Sequence, residues 1–348
     1  MNRITTNIYR HFPKELVPPL LPGLFLIASA IIMLGCEGPP QAPAGQPTGA
    51  ISENITAQAS QIVLDGLSDP DPDIRAKAIE VVAVTKQVRM MPRVQRLLND
   101  RIVPVRFLAA VAVGDLEYAL AKGDIIKLLR DQDENVRIAA AYTMVKFGSA
   151  EYFKVICSAA ANNDQTVRAN AALLLGKSGK KESLRYLYWT LRQKDSADKV
   201  VLQAVESIAL LGDEQIYPKL WTRLISAYAD DRVVGVRGMG ALATEQAKNA
   251  LVTMLDDSIL EVRLAAAEQL GRLRDPTGEV EVLGVFNKNL TANMDPESKE
   301  RVEVLTAMAI GAIHTNSLTR FLPQLIKDES KLVRIAAAKA VLQTAMAK

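Results

Sequence analysis

From Ile51 onward, apolar side chains recur in blocks separated by short polar turns. The clearest blocks read "DPDPDIRAKAI", "DRIVPVRFLAAVAVG", "DQDENVRIAAAYTMV", "NNDQTVRANAALLLG", "DDSILEVRLAAAEQLG" and "DESKLVRIAAAKAV". Arg75, Arg106, Arg137 and Arg168 stand 31 residues apart, and a fixed period of this size points to stacked repeats. With the arginine as origin, nine rows align, at Arg75, Arg106, Arg137, Arg168, Val201, Arg237, Arg263, Glu303 and Arg334. The residue before the origin is β-branched in every row, from Ile74 to Val333. Three residues after it the side chain is small, as at Ala78, Ala109, Ala140 and Gly240, and seven after it only Thr244 is not apolar. These three positions share one face of a helix, so they predict the buried stripe of a second helix in each repeat. Six before the origin stands Asp in seven rows, with Asn162 and Glu297 in the others. Asp accepts backbone N–H bonds in turns and at helix starts, so a first helix is expected to end just before it.

The unit of helix, Asp turn, "VR" and helix resembles the HEAT repeat, and within that family the short HEAT-like type of the phycobilisome lyases. The resemblance covers residues 51–348 and implies an all-α fold, an α-solenoid of about nine HEAT-like helix pairs. In that family the Asp and Arg rows form a ladder between neighbouring repeats. Carried over, the ladder is Asp69 and Arg75, Asp100 and Arg106, Asp131 and Arg137, Arg168, Asp231 and Arg237, Asp257 and Arg263, Asp328 and Arg334. Rows with Val201 and Glu303 break it, and curvature is expected to change near 195–237 and 275–303. A repeat array needs polar caps at its ends. "ISENITAQASQ" fits a polar first helix, and "RIAAAKAVLQTAMAK" is expected to leave a sticky last face.

The first 50 residues follow a different pattern. Residues 1–19 carry Arg3, Arg10 and Lys14, and residues 20–35, "LLPGLFLIASAIIMLG", are apolar and uncharged. A positive n-region before an apolar h-region is the layout of a secretory signal. "MLGC" resembles the lipobox of bacterial lipoprotein signals. That resemblance implies a diacylglycerol on the Cys36 thiol and cleavage just before it. Leu34 and Met33 depart from the usual residues. Residues 36–50, rich in Pro and Gly, read as a tether. The expected location is the cell envelope, anchored on the extracytoplasmic side. Glu37 favours the outer membrane of a diderm, and an inner-membrane signal anchor is the alternative.

Composition removes several functions. The net charge of +3 shows no basic excess of the kind that marks nucleic-acid binders. Two cysteines and two histidines are too few for a zinc site or a His-based triad in the body, so no metal, no cofactor and no catalytic residue is expected. Cys157 reads as a small buried hydrophobe and His314 as a helix-end residue. A lyase-like activity is kept only as a remote alternative.

One local excess remains. Tyr186, Tyr188, Trp189, Tyr217, Trp221 and Tyr228 are six of the ten Tyr and Trp in the chain. Tyr188 fits the core stripe with Leu184, Leu187 and Leu191. The other five, Tyr186, Trp189, Tyr217, Trp221 and Tyr228, either fill a gap between irregular repeats or form a binding patch, since Trp and Tyr are favoured anchors. Phe107, Leu108, Asn170 and Met239 suggest a mildly apolar concave face. The expected function is a membrane-anchored protein-binding scaffold. The alternative is a module that takes a glycan, lipid or peptide through the Tyr/Trp patch.

Overall fold

Each polar turn in the sequence separates two helices, and the computed structural model, which describes residues 53–347, places them as nine helix pairs. Cys36, the signal segment 1–35 and the tether 36–50 lie outside the described residues. In chain order the pairs are α1 (Glu53–Gly66) and α2 (Pro72–Val84), α3 (Met91–Arg96) and α4 (Val103–Asp115), then α5 (Lys122–Leu128) and α6 (Glu134–Lys146). They continue with α7 (Phe153–Ala159) and α8 (Gln165–Lys177), α9 (Ser183–Arg192) and α10 (Asp198–Leu210), then α11 (Tyr217–Leu224) and α12 (Ala229–Leu242). The last are α13 (Glu245–Thr253) and α14 (Leu260–Arg272), α15 (Glu279–Asn287) and α16 (Pro296–Ile313), and α17 (Asn316–Thr319) with α18 (Leu322–Leu325) before α19 (Lys331–Met346). The described residues contain no strand. The fold is an α-solenoid of HEAT-like helix pairs.

The second helices pack on one another in succession, from α2 through α19, while each first helix packs on its own second helix and most also on the one before. First helices are therefore the splayed outer layer and second helices the inner wall. The stripe before, three after and seven after the origin is the seam between them: Val105, Ala109 and Val113 in α4 are fully buried, as are Val136 and Ala140 in α6.

The turn chemistry explains the Asp and Arg rows together. Asp69, Asp100, Asp131, Asp257 and Asp328 each accept the backbone N–H two residues on, at 2.8–2.9 Å. Asn162 does the same for Asp164 at 2.8 Å, which is why Asn can stand there. The arginine then donates to the backbone carbonyl of that same turn residue: Arg75 to Asp69 at 2.7 Å, Arg106 to Asp100 at 2.8 Å, Arg137 to Asp131 at 2.9 Å, Arg263 to Asp257 at 2.7 Å and Arg334 to Asp328 at 2.6 Å. Where a carboxylate follows in the next repeat, the same guanidinium also bridges to it. Arg75 grips Asp100 at 2.8 and 3.0 Å, Arg106 grips Asp131 at 3.0 Å through both oxygens, and Arg168 grips Asp195 at 3.0 and 3.1 Å. Arg137 has no such rung, because its counterpart is Asn162; Arg263 turns to Glu281 at 2.8 Å instead.

The sixth repeat corrects the register read from "VVGVR". Its ladder arginine is Arg232, which donates to Ser226 O at 3.0 Å and grips Asp257 at 2.7 and 2.9 Å. Arg237 lies five residues further on and pairs with Glu206 at 2.9 Å, and Asp231 is held within its own repeat by Arg223 and Ser226. The Val–Arg pair at 236–237 imitates the motif, but α12 starts at Ala229, which puts Arg232 in the fourth helical place that Arg75 and Arg106 occupy in α2 and α4. The eighth repeat departs differently. Asp295 caps α16 and Glu297 falls inside the first turn, so the helix is 18 residues long and Glu303 lies on its wall.

Neither end of the array is an end. α1 packs along α19, and α19 also touches α2, so the nine pairs close into a ring. Ile55, Ala59, Val63 and Gly66 of α1 are buried at this seam, and α19 buries nine residues distributed around its circumference. A Cβ on Gly66 would stand 3.0 Å from Ala78 Cβ and 3.3 Å from Ile335 Cδ1, so the close approach there uses a glycine. Lys331 of the last repeat reaches Asp69 of the first at 2.7 Å and supplies the rung that closes the circle. The polar helix read as a cap buries its apolar stripe, and the last helix has no bare face.

Candidate interaction surfaces

The ring offers two kinds of surface, an inner wall and an outer layer. On the inner wall, polar groups pair with each other. Tyr142 donates to Asp115 at 2.6 Å, Lys177 reaches the same carboxylate at 2.9 Å, Arg237 pairs with Glu206, and Arg272 with Glu268 at 2.7 Å. The Tyr142 hydroxyl is pushed far above its usual range, by burial first and by the Asp115 charge second. Lys339 of the ninth repeat faces Glu268 and Arg272 of the seventh and Glu80 and Lys77 of the first; burial draws its pKa below the usual lysine range. The expected apolar concave face is absent at the residues that suggested it: Phe107, Asn170 and Met239 are buried between helices, and Leu108 is half-buried.

The outer layer of repeats five and six differs. At α11, the N-cap residue Ile216 with Leu220 and Leu224 forms the stripe buried against the core. One residue on, Tyr217, Trp221 and Ile225 form a second stripe at the same spacing, of which Trp221 and Ile225 face outward and Tyr217 is half-buried against the core. Trp221 is 41 % and Ile225 67 % exposed, and Tyr228 just beyond is 66 % exposed. Tyr217 and Trp221 stack, with ring centroids 6.3 Å apart. On α9, Leu187 is buried, Tyr188 and Tyr186 are half-buried, and Trp189 is 38 % exposed. Arg185 donates to the Tyr186 hydroxyl at 2.6 Å and lies over its ring. Of the five patch residues, Trp189, Trp221 and Tyr228 are exposed, while Tyr186 and Tyr217 are half-buried supports. Ile225 belongs to the same surface; its place four residues after Trp221 was the signal for it.

Other readings fall into structural places. Cys157 is buried, and burial pushes its thiol up. His314 caps the C-terminus of α16. Among the described residues no group of three or more His, Cys, Asp or Glu side chains could hold a metal ion, and no helix is long and apolar enough to cross a membrane.

No protein-family model matches the chain, and no curated protein sequence matches it. Several solved structures are similar to it over much of its length. The CpcE–CpcF phycocyanin lyase complex from Nostoc sp. PCC7120 is 16 % identical, with 72 % of this chain and 94 % of that chain covered and a TM-score of 0.39. Human deoxyhypusine hydroxylase is 17 % identical over 76 % of this chain and 98 % of its own, with a TM-score of 0.38. Importin beta is 14 % identical over 81 % of this chain and 46 % of its own, with a TM-score of 0.34. These likenesses concern helical architecture alone.

Proposed function

We propose that the chain is a non-enzymatic, lipid-anchored repeat scaffold of the bacterial cell envelope, which holds a partner protein against the outer face of repeats five and six. The observation that carries this reading is the second stripe on α11. Tyr217, Trp221 and Ile225 continue into Tyr228 without a covering helix, although the core stripe of α11 is already buried. Large amphipathic side chains held on a rigid scaffold lose little conformational freedom on binding and serve as interface anchors. The anchor rests on the "MLGC" motif and Cys36, with the outer membrane favoured.

A photo-crosslinking residue in place of Ile225, in the full chain expressed in its source organism, tests the reading. The control is the same residue in place of Leu120, which is 79 % exposed on repeat three. One adduct of defined mass at 225 and none at 120 is expected. No adduct at 225, or the same adducts at both positions, overturns it. A glycan ligand is the second reading, favoured by the exposed Trp221 ring with Tyr217 stacked beside it. It predicts a saturable change in tryptophan fluorescence with envelope glycans that Trp221→Ala removes.

A further inference from the structure

The edge of the ring that carries the Asp turns is not uniform. Between the turns of repeats one and two lies an open cavity of about 490 Å³, and Arg75, Arg93, Arg96 and Arg101 all line it together with Asp69 and Asp100. Both carboxylates are already matched: Asp100 by the buried Arg75, and Asp69 by Lys331 from across the seam. Arg93, Arg96 and Arg101 are exposed, and none of them has a hydrogen bond or ion pair among the described residues. Three uncompensated guanidiniums thus share one cavity, as much positive charge as the net +3 of the whole chain.

The repeat does not require them. Arg93, Arg96 and Arg101 lie seven before, four before and one after the turn residue Asp100. The equivalent places are Asp124, Lys127 and Gln132 in repeat three, Val155, Ser158 and Asn163 in repeat four, and Ala250, Thr253 and Ser258 in repeat seven. Repeat three even neutralises its own pair, with Lys127 on Asp124 at 2.9 Å. Like charges gathered without structural need repel one another, and an anion that bridges them relieves this. Guanidinium forks match phosphate oxygens in geometry and charge. The cavity has the size of a small-ligand site, about 300–1,000 Å³, and its lining sets four arginines beside an apolar floor of Leu67, Pro70 and Leu97, which suits a compact group of high negative charge.

We propose that this cavity binds a phosphate group, carried by a soluble phosphate compound or by a phospholipid headgroup. The test titrates the purified full chain, in non-ionic detergent at low ionic strength, with inorganic pyrophosphate by calorimetry. An Arg93→Gln/Arg96→Gln/Arg101→Gln variant runs beside an Arg89→Gln/Arg130→Gln control, in which two arginines outside the cavity are replaced; circular dichroism confirms that both fold. Saturable binding to the wild type and the control, weakened at least tenfold in the triple variant, is expected. Micelles doped with phosphatidylglycerol distinguish the source: weaker apparent pyrophosphate binding there assigns the site to a headgroup, and unchanged binding assigns it to a soluble phosphate. Absence of saturable binding, or equal binding by the triple variant and the control, overturns the proposal.

Discussion

Two outer helices carry apolar stripes at the same spacing and use them in opposite ways. On α1, Ile55, Ala59 and Val63 are buried; at α11, Trp221 and the C-cap residue Ile225 face outward beside the half-buried Tyr217. The spacing places each set on one helical face but does not say what covers that face. α1 owes its cover to α19, the last helix in the chain, which arrives because the ring closes. α11 has spent its cover on Ile216, Leu220 and Leu224, and the neighbouring stripe is left over. A stripe therefore reads as core or as surface only once its partner helix is known.

The largest expected effect follows from making both stripes acidic. Val63→Asp buries an unpaired charge at the closure seam and is expected to cost about 3 kcal/mol or more. Trp221→Asp, on the open stripe, should stay within about 1 kcal/mol. Urea unfolding of the two variants measures both, and similar losses would erase the distinction. Next come the arginines. Arg75→Met strands the buried carboxylate of Asp100 and is expected to cost about 3 kcal/mol. Arg237→Met breaks a far more exposed pair, worth about 1 kcal/mol or less. Equal costs would mean that Arg232 is not the rung of repeat six.

Acid should act on the turns. Thr277, through its hydroxyl and its backbone N–H, and Lys248 draw Asp275 down to about 2. At the seam, burial opposes ionisation of Asp69, but Lys331 and the Asp71 N–H outweigh it and hold its pKa below the usual range. Folded values below the unfolded ones mean that this stabilisation is complete above about pH 4 and is lost as pH falls towards 2. Asp275→Asn and Asp69→Asn should each flatten that acid limb in unfolding experiments, by less than about 1 kcal/mol. The smallest effect on stability, a few tenths of a kcal/mol, is expected for Ile225→Ser, which should nonetheless weaken partner capture.

Local chemistry was legible in the sequence and long-range closure was not. Asp at the turn, a β-branched residue before the arginine and a small residue after it each answer to neighbours within one or two repeats, so their recurrence exposes them. The sixth repeat misleads because Val236 and Arg237 copy the motif by chance. Its real register is marked by Gly240, eight residues after Arg232, as Gly114 stands eight after Arg106 and Gly176 eight after Arg168. A Cβ at Gly240 would stand 2.8 Å from Gln269 Cβ, the close approach to the next repeat that this place serves. Ring closure joins residues more than 260 positions apart, such as Asp69 and Lys331 (262 positions), and no period within the chain encodes that. The cavity arginines were passed over for a related reason: "VRMMPRVQR" looks like a solvated helix face until the turns of two repeats bring Arg93, Arg96 and Arg101 around one hollow.

Closure of the ring is the claim on which the rest depends, and a distance between its first and last repeats tests it. Spin labels on Asp65→Cys and Glu329→Cys, both exposed positions beside the seam, would be read by pulsed electron–electron resonance. Helices packed about 10 Å apart predict one short, narrow distance distribution, which Val63→Asp should broaden. An open solenoid, its ends separated by several helix spacings of about 10 Å each, would give a long, broad distribution in the wild type and contradict the account.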